Sequence, residues 1–148
     1  MFIVGANDLT ADLQLPTKMS KGRAPLLTAL STVVLAARAH GVAVVDAVFN
    51  DIRDESGFEE EARQGREYGF DGKCCIYPSQ VDMANKVFTP SEAEIKRARQ
   101  IIRVVEAAEG GVALLDGAIV EDLHRRQAER ILSRAGESRT VPPGMQAQ

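Results

Sequence analysis

Cysteine is scarce here: the two in the 148-residue chain are neighbours, Cys74 and Cys75. Successive residues of a strand point to opposite faces, so in an extended segment these thiols neither share a metal ion nor close an ordinary disulfide. That usage fits a reducing cytoplasm. Long apolar runs are also missing. The longest, from Ala24 to Ala39, is interrupted by Thr28, Ser31, Thr32 and Arg38, and it falls short of the roughly 20 residues a membrane span needs, so no membrane partner is expected. The first residues lack a charged stretch of the kind that opens a signal peptide. A net charge of -3 supplies no field to gather nucleic acid or an anionic membrane surface. Histidine occurs at His40, which reads as a helix-end group, and at His124, which has no second histidine at metal spacing.

What is present has the composition of a soluble globular domain, with 45% hydrophobic and 26% charged residues, in a length that suits one domain. Residues 2 to 5 read as a strand and 13 to 23 as a loop broken by Pro16 and Gly22. A helix is predicted from about Pro25 to the glycine at Gly41, and a buried strand over 42 to 49. A charged helix over 58 to 68, a strand over 72 to 78 and a short helix over 80 to 87 follow. The segment "TPSE" predicts a helix over 90 to 108, capped by Thr89, with Pro90 at its first position and Glu92 closing a capping box. Residues 110 to 120 read as a hairpin turning at Asp116 and Gly117, and 121 to 135 as an amphipathic helix. Residues 136 to 148 read as a disordered tail.

Strands that alternate with helices predict an α/β fold with a parallel sheet. Three such strands would leave apolar edges unpaired, and the first begins at residue 2. The expectation is therefore that something else completes the sheet, or that upstream sequence is missing.

Ligands of parallel α/β folds bind at the carboxyl ends of the strands. Asn7 and Asp8, the stretch Asp46 to Asp54, and Tyr77 to Gln80 occupy those places. A carboxylate there can hold Mg2+, although by spacing alone Asp8 reads first as a helix cap. The acidic "NDIRDESG" is accounted for by a cap and a solvated face. Lys96, Arg99 and Arg103 lie opposite Ile95, Ala98, Ile102 and Val105, as on an ordinary amphipathic helix. Lys73, at the start of an apolar strand, reads either as a functional cation or as a solvated one.

Three blocks, "MFIVGANDLTADL", "VVDAVFNDIRDESGFEEEARQGREYGFDGKCCIYPSQVDMANKVFTPSEAEIKRA" and "LLDGAIVEDLHRRQAERIL", together resemble the citrate lyase beta-subunit-like branch of the HpcH/HpaI aldolase family. The resemblance implies a Mg2+-dependent (β/α)8 barrel that makes or cleaves carbon-carbon bonds in hydroxyacyl-CoA thioesters such as citryl-CoA or malyl-CoA. It implies that residues 1 to 109 are the last three barrel strands with their helices, that 110 to 135 form a hairpin-helix extension, and that 136 to 148 are a tail. A complete barrel of roughly 250 residues exceeds this length.

Carried over by residue, Asp8 matches the family's aspartate ligand to Mg2+. The glutamate ligand and a carboxylate-binding arginine would lie upstream. Asn7, Lys73 and Tyr77 are the candidate contacts to the acyl-CoA thioester, with Tyr77 standing where the family usually has histidine. Glu121, just after the hairpin, matches an acid/base carboxylate that reaches a neighbouring subunit's site. A homo-oligomer, trimer or hexamer, follows, with Leu123, Ala128, Ile131 and Leu132 of the last helix lying across the neighbour. The alternative is a non-catalytic remnant or assembly subunit that keeps the oligomer contacts and performs no chemistry.

Overall fold

Leu26, Leu30, Val34 and Ala37 recur at three- or four-residue intervals, the spacing that puts apolar side chains on one stripe of a helix. In the computed structural model, which describes residues 1–16, 20–108 and 111–136, that stripe is the buried face of α2 (Leu27–Ala39) and of the single 3-10 turn before it (Ala24–Leu26). It packs on Val44 and Phe70, with Val4 and Leu9 at its margin. The helix ends where expected, with Gly41 at φ +62° just past its C-cap, His40.

The sheet comprises β1 (Phe2–Ile3), β3 (Val44–Asp46) and β4 (Gly72–Lys73), side by side in chain order and all parallel. Register pairs Ile3 with Val45 and Val45 with Gly72, so these residues share one face. Val44 and Asp46 point to the other, where the helices lie, and both are fully buried. After β1 comes α1 (Ala6–Asp12), and a further extended segment, β2 (Ser20–Arg23), leads into α2. After β3, α3 (Glu55–Glu67) packs against α4 (Pro78–Phe88), burying Phe58 and Ala62 with Ala84 and Val87.

These elements form one compact unit, Met1–Phe88, and a second begins at Thr89. In the second, α5 (Glu92–Ala107) packs against α6 (Asp122–Arg134) and against the hairpin β5 (Ala113–Leu115) and β6 (Ala118–Val120). The hairpin turns at Asp116 and Gly117 with φ of +50° and +78°, the geometry foreseen for an Asp-Gly turn.

Several expectations are corrected. The ladder is shorter than the apolar runs: the strand expected over 42 to 49 pairs only over Val44–Asp46, and that over 72 to 78 only over Gly72–Lys73. The stretch 13 to 23, expected as loop throughout, ends in β2. The charged helix starts at Glu55, three residues early, because the Asp54 carboxylate accepts the Gly57 N–H at 2.9 Å and caps it. On α5 the cap is Ser91, not Thr89, and Pro90 precedes the helix. Ser91 Oγ accepts the Glu94 N–H at 3.3 Å, and Glu94 Oε2 accepts the Ser91 N–H at 2.8 Å. The second unit, from Thr89, holds α5 together with the hairpin, while the division into a barrel part over 1 to 109 and an extension over 110 to 135 stands as an expectation. Ala128, expected to lie across a neighbour, is 1% exposed in the single chain, whereas Leu123 is 48% exposed. The tail from residue 137 lies outside the described residues. No helix among them is long and apolar enough to cross a membrane.

Ser91→Ala should destabilise the second unit by about 1 kcal/mol, and Thr89→Ala by less than about 0.5 kcal/mol, in urea unfolding followed by circular dichroism.

Candidate functional site

The carboxyl end of β1 runs through Val4 and Gly5 straight into the first turn of α1. Gly5 is the residue before the helix, so Asp8 is its third residue and not its cap, and its side chain makes no capping bond. Its carboxylate folds back over Gly5: a Cβ on Gly5 would lie 2.7 Å from Asp8 Oδ2, closer than real Cβ atoms come. Asp8 is exposed, and among the described residues no hydrogen bond or ion pair engages its carboxylate. No group of three or more acidic, histidine or cysteine side chains that could hold a metal occurs among the described residues. Asp8 therefore fits the part of one hard oxygen ligand, leaving the remaining positions of a Mg2+ ion to other donors, as is common for this ion.

Asn7, one residue earlier, meets Asn50 from the segment after β3. Asn50 Nδ2 donates to Asn7 Oδ1 at 2.8 Å, and Asn7 Nδ2 donates back to Asn50 Oδ1 at 3.2 Å. The two strands' carboxyl ends are thus joined by a reciprocal amide pair on the surface.

Lys73 corrects the solvated reading held for it. Its ammonium is fully buried, not solvated, and its donors are used internally: to Glu61 Oε1 at 2.8 Å, to the Ala47 carbonyl at 3.0 Å and to Asp46 Oδ2 at 3.3 Å. An ammonium has three N–H bonds, so none remains for a ligand in this arrangement. The Phe58 ring lies beneath it, with the centroid at 5.7 Å. Asp46 also takes Arg23, whose Nη1 donates to both carboxylate oxygens at 2.7 and 2.9 Å, while Arg23 Nε donates to Gln64 Oε1 at 2.7 Å. The cluster holds two cations and two carboxylates, so its formal charges cancel.

Tyr77 is 48% exposed and stands between β4 and α4. Its segment is tied down by Gln80, which is 4% exposed. Gln80 Oε1 accepts the Ile76 N–H at 2.9 Å, and its Nε2 donates to the Phe49 carbonyl at 3.1 Å. Cys74 and Cys75 are both free and half-buried, and burial pushes each thiol above its usual range. In the second unit Glu121 is the N-cap residue of α6, and its backbone N–H donates to His124 Nδ1 at 3.2 Å.

The sequence reading had no role for Arg23 or Glu61, and it included Asn50 and Gln80 only as members of candidate stretches at the strand ends. One signal was available. A glycine in the middle of a helix marks a close approach, and at Gly65 of α3 a Cβ would stand 2.6 Å from Asp46 Oδ2.

A model of the HpcH/HpaI aldolase/citrate lyase family matches residues 1–78. The (3S)-malyl-CoA thioesterase of Cereibacter sphaeroides is 45% identical over 136 residues, which cover 90% of this chain and 47% of that protein. Citrate lyase subunit beta of Leuconostoc mesenteroides subsp. cremoris is 36% identical over 141 residues, 93% of this chain and 46% of that one. Among solved structures, the protein CitE from Mycobacterium tuberculosis in complex with magnesium, acetoacetate and coenzyme A matches with a TM-score of 0.78 and 36% identity, covering 91% of this chain and 51% of that one. The chain spans about half the length of the curated relatives it matches.

Two measurements check the electrostatics. Asp46→Ala should cost about 3–5 kcal/mol in denaturant unfolding, because it strands Arg23 and Lys73 without their shared anion. Glu61→Ala should cost less, since that carboxylate retains 20% exposure. Because burial raises both thiols, alkylation of Cys74 and Cys75 at pH 8 should be slower than that of a free cysteine and should accelerate as pH rises. A rate equal to the free thiol at pH 8 would contradict the burial.

Proposed function

Since the chain belongs to the HpcH/HpaI aldolase/citrate lyase family, we propose that it serves a Mg2+-dependent carbon-carbon lyase acting on hydroxyacyl-CoA thioesters of the citryl-CoA or malyl-CoA type. Its contribution would be the last three βα units of a (β/α)8 barrel and a hairpin-helix extension. The observation that carries this reading is the sheet: three parallel strands adjacent in chain order, with Asp8 just past the carboxyl end of the first. A closed barrel has that order throughout, and its chemistry sits at that end.

Asp8 would be this chain's ligand to Mg2+, which when bound polarises the oxygens of a hydroxy acid or carbonyl and offsets the charge that develops on them. The remaining work falls to the chain's own groups. Asp8 keeps an unshared carboxylate at the strand end, and Gly5 leaves room for it. Tyr77 offers an exposed phenol beside that end, where a thioester could be received. Lys73 supports the site from below by holding the Ala47 carbonyl and does not meet substrate. Glu121, in the second unit, would act as acid or base in the site of a neighbouring copy, within a trimer or hexamer. The second metal carboxylate and the arginine for the substrate's carboxylate are to come from outside these residues. Two free cysteines suit a reducing cytoplasm.

A second reading is favoured by one observation: the relative from Cereibacter sphaeroides is named a (3S)-malyl-CoA thioesterase. Hydrolysis of the thioester would then follow or replace cleavage of the carbon-carbon bond. The products separate the two. A lyase releases an acyl-CoA and an oxo acid, and a thioesterase releases free CoA, which a thiol reagent detects.

In the full-length protein, Asp8→Asn should lower activity by about 100-fold or more while leaving the melting temperature unchanged. Even groups that only orient metal ligands cost 10- to 100-fold when removed, and Asp8 is exposed and has no partner to lose among the described residues. A helix-capping role would make the same change nearly silent, since asparagine caps about as well as aspartate. Equal activity at saturating Mg2+ with equal apparent affinity would overturn the ligand assignment.

A further inference from the structure

We propose that Asn50 is a positioning residue for Asp8, acting through its amide pair with Asn7, an inference that rests on Asp8 being the metal ligand. α1 has seven residues, too few to be stable by itself, and its N-cap residue is a glycine with no side chain to cap it. The direction of its first turn must therefore be set by outside contacts. The core holds the inner side through Ala6 and Leu9. On the outer side the contact is Asn7 with Asn50, 43 residues apart in the chain.

An exposed amide pair competes with water and contributes little unless both partners are already held. Here both are. On the α1 side, Thr10 Oγ1 donates to the Ala6 carbonyl at 2.7 Å and the helix is docked on the core. On the other side, the three residues before Asn50 are held by three hydrogen bonds. Ala47 has its N–H accepted by Asp46 Oδ1 at 2.8 Å and its carbonyl held by Lys73 at 3.0 Å. The Phe49 carbonyl accepts from Gln80 at 3.1 Å. The amide pair thus joins two rigid segments, and the residue adjoining it in the same turn of α1 is Asp8.

Mg2+ demands near-ideal octahedral geometry and Ca2+ tolerates irregular, longer coordination. A misdirected carboxylate therefore penalises Mg2+ selectively, and the clasp gives this site its preference for the smaller ion. General loosening of the fold would weaken both ions alike.

The test is calorimetric titration of the full-length protein with Mg2+ and, separately, Ca2+, for wild type, Asn50→Ala, Asn7→Ala, the double variant and Asp8→Asn, with melting temperatures alongside. Asn50 and Asn7 are exposed, and either single variant breaks the pair, so the second decides if the first folds poorly. The expected result is about 10-fold weaker Mg2+ binding in each single variant, with Ca2+ affinity changed less than about 2-fold and the double variant no weaker than the singles. Unchanged Mg2+ affinity in Asn50→Ala, with binding lost in Asp8→Asn, overturns the clasp and leaves the ligand intact. Equal losses for both ions with a lowered melting temperature overturn it as well. Asp8→Asn binding Mg2+ like the wild type removes the ligand assignment and the clasp together.

Discussion

Asp46 ends the central strand with a carboxylate that no solvent reaches, and the first unit is arranged so that this charge is never alone. An isolated carboxylate in such a place would cost several kcal/mol even after relaxation, so geometry decides whether it is tolerable. Arg23 grips both of its oxygens, Lys73 reaches one, and the Ala47 N–H takes another bond. Lys73 and Arg23 carry more charge than Asp46 offsets, and Glu61 supplies the balance. The four groups come from the end of β2, from β3, from α3 and from β4, so their mutual satisfaction ties together elements that the sheet ladder alone joins only briefly. Because the β-ladder is two residue pairs deep at each pairing, this cluster does much of what longer strands do elsewhere.

That requirement reaches the site. α3 must come close enough for Glu61 and Gln64 to touch the cluster, and a glycine at position 65 is what permits the approach, since a methyl group there would press into Asp46. The same ions clamp both ends of Ala47, which directs the following residues toward the carboxyl end of the sheet. Gln80 then fixes Phe49, and Asn50 arrives opposite Asn7. A buried electroneutral cluster and an exposed carboxylate are therefore parts of one construction. The first removes freedom from the backbone so that the second can be aimed without partners among the described residues.

The sequence disclosed the parts of this that depend on neighbours in the chain. Breaker and capping residues located α2, α3 and α5 to within a few residues. Asp116 and Gly117 marked their turn, because few residues accept positive φ. What was not legible depends on distance. Apolar runs overstate the strands because apolarity reports burial and not pairing: Ala47 is 1% exposed although it lies beyond the ladder. The segment "TPSE" admits two capping registers, and local chemistry does not separate them. Helix α4 continues to Phe88, which leaves Thr89 as part of the link and Ser91 as the first residue free to cap. Lys73 shows the limit most plainly. A lysine beside an apolar strand looks exposed or functional until the aspartate on the adjacent strand and the glutamate one helix away are known to meet it. The resemblance supplied the chemistry expected of Asp8, and only the fold placed it within α1 and not at its cap.

One face of the sheet remains to be explained. Val44 and Asp46 point toward the helices, while Ile3, Val45 and Gly72 share the opposite face, where Ile3 is 59% exposed. Parallel sheets are ordinarily covered on both sides, because their strands are apolar on both. In a barrel the second side is covered by the sheet itself, which curls until the inward residues of alternate strands fill the interior in layers. An exposed isoleucine in register with a valine and a glycine has the mixture of large and small residues that such layering uses. The same row is a poor surface for water and a poor seat for a helix, which would need a broader apolar stripe. The exposed Ile3 beside the half-buried Val45 and Gly72 is what the proposed barrel would require of this face.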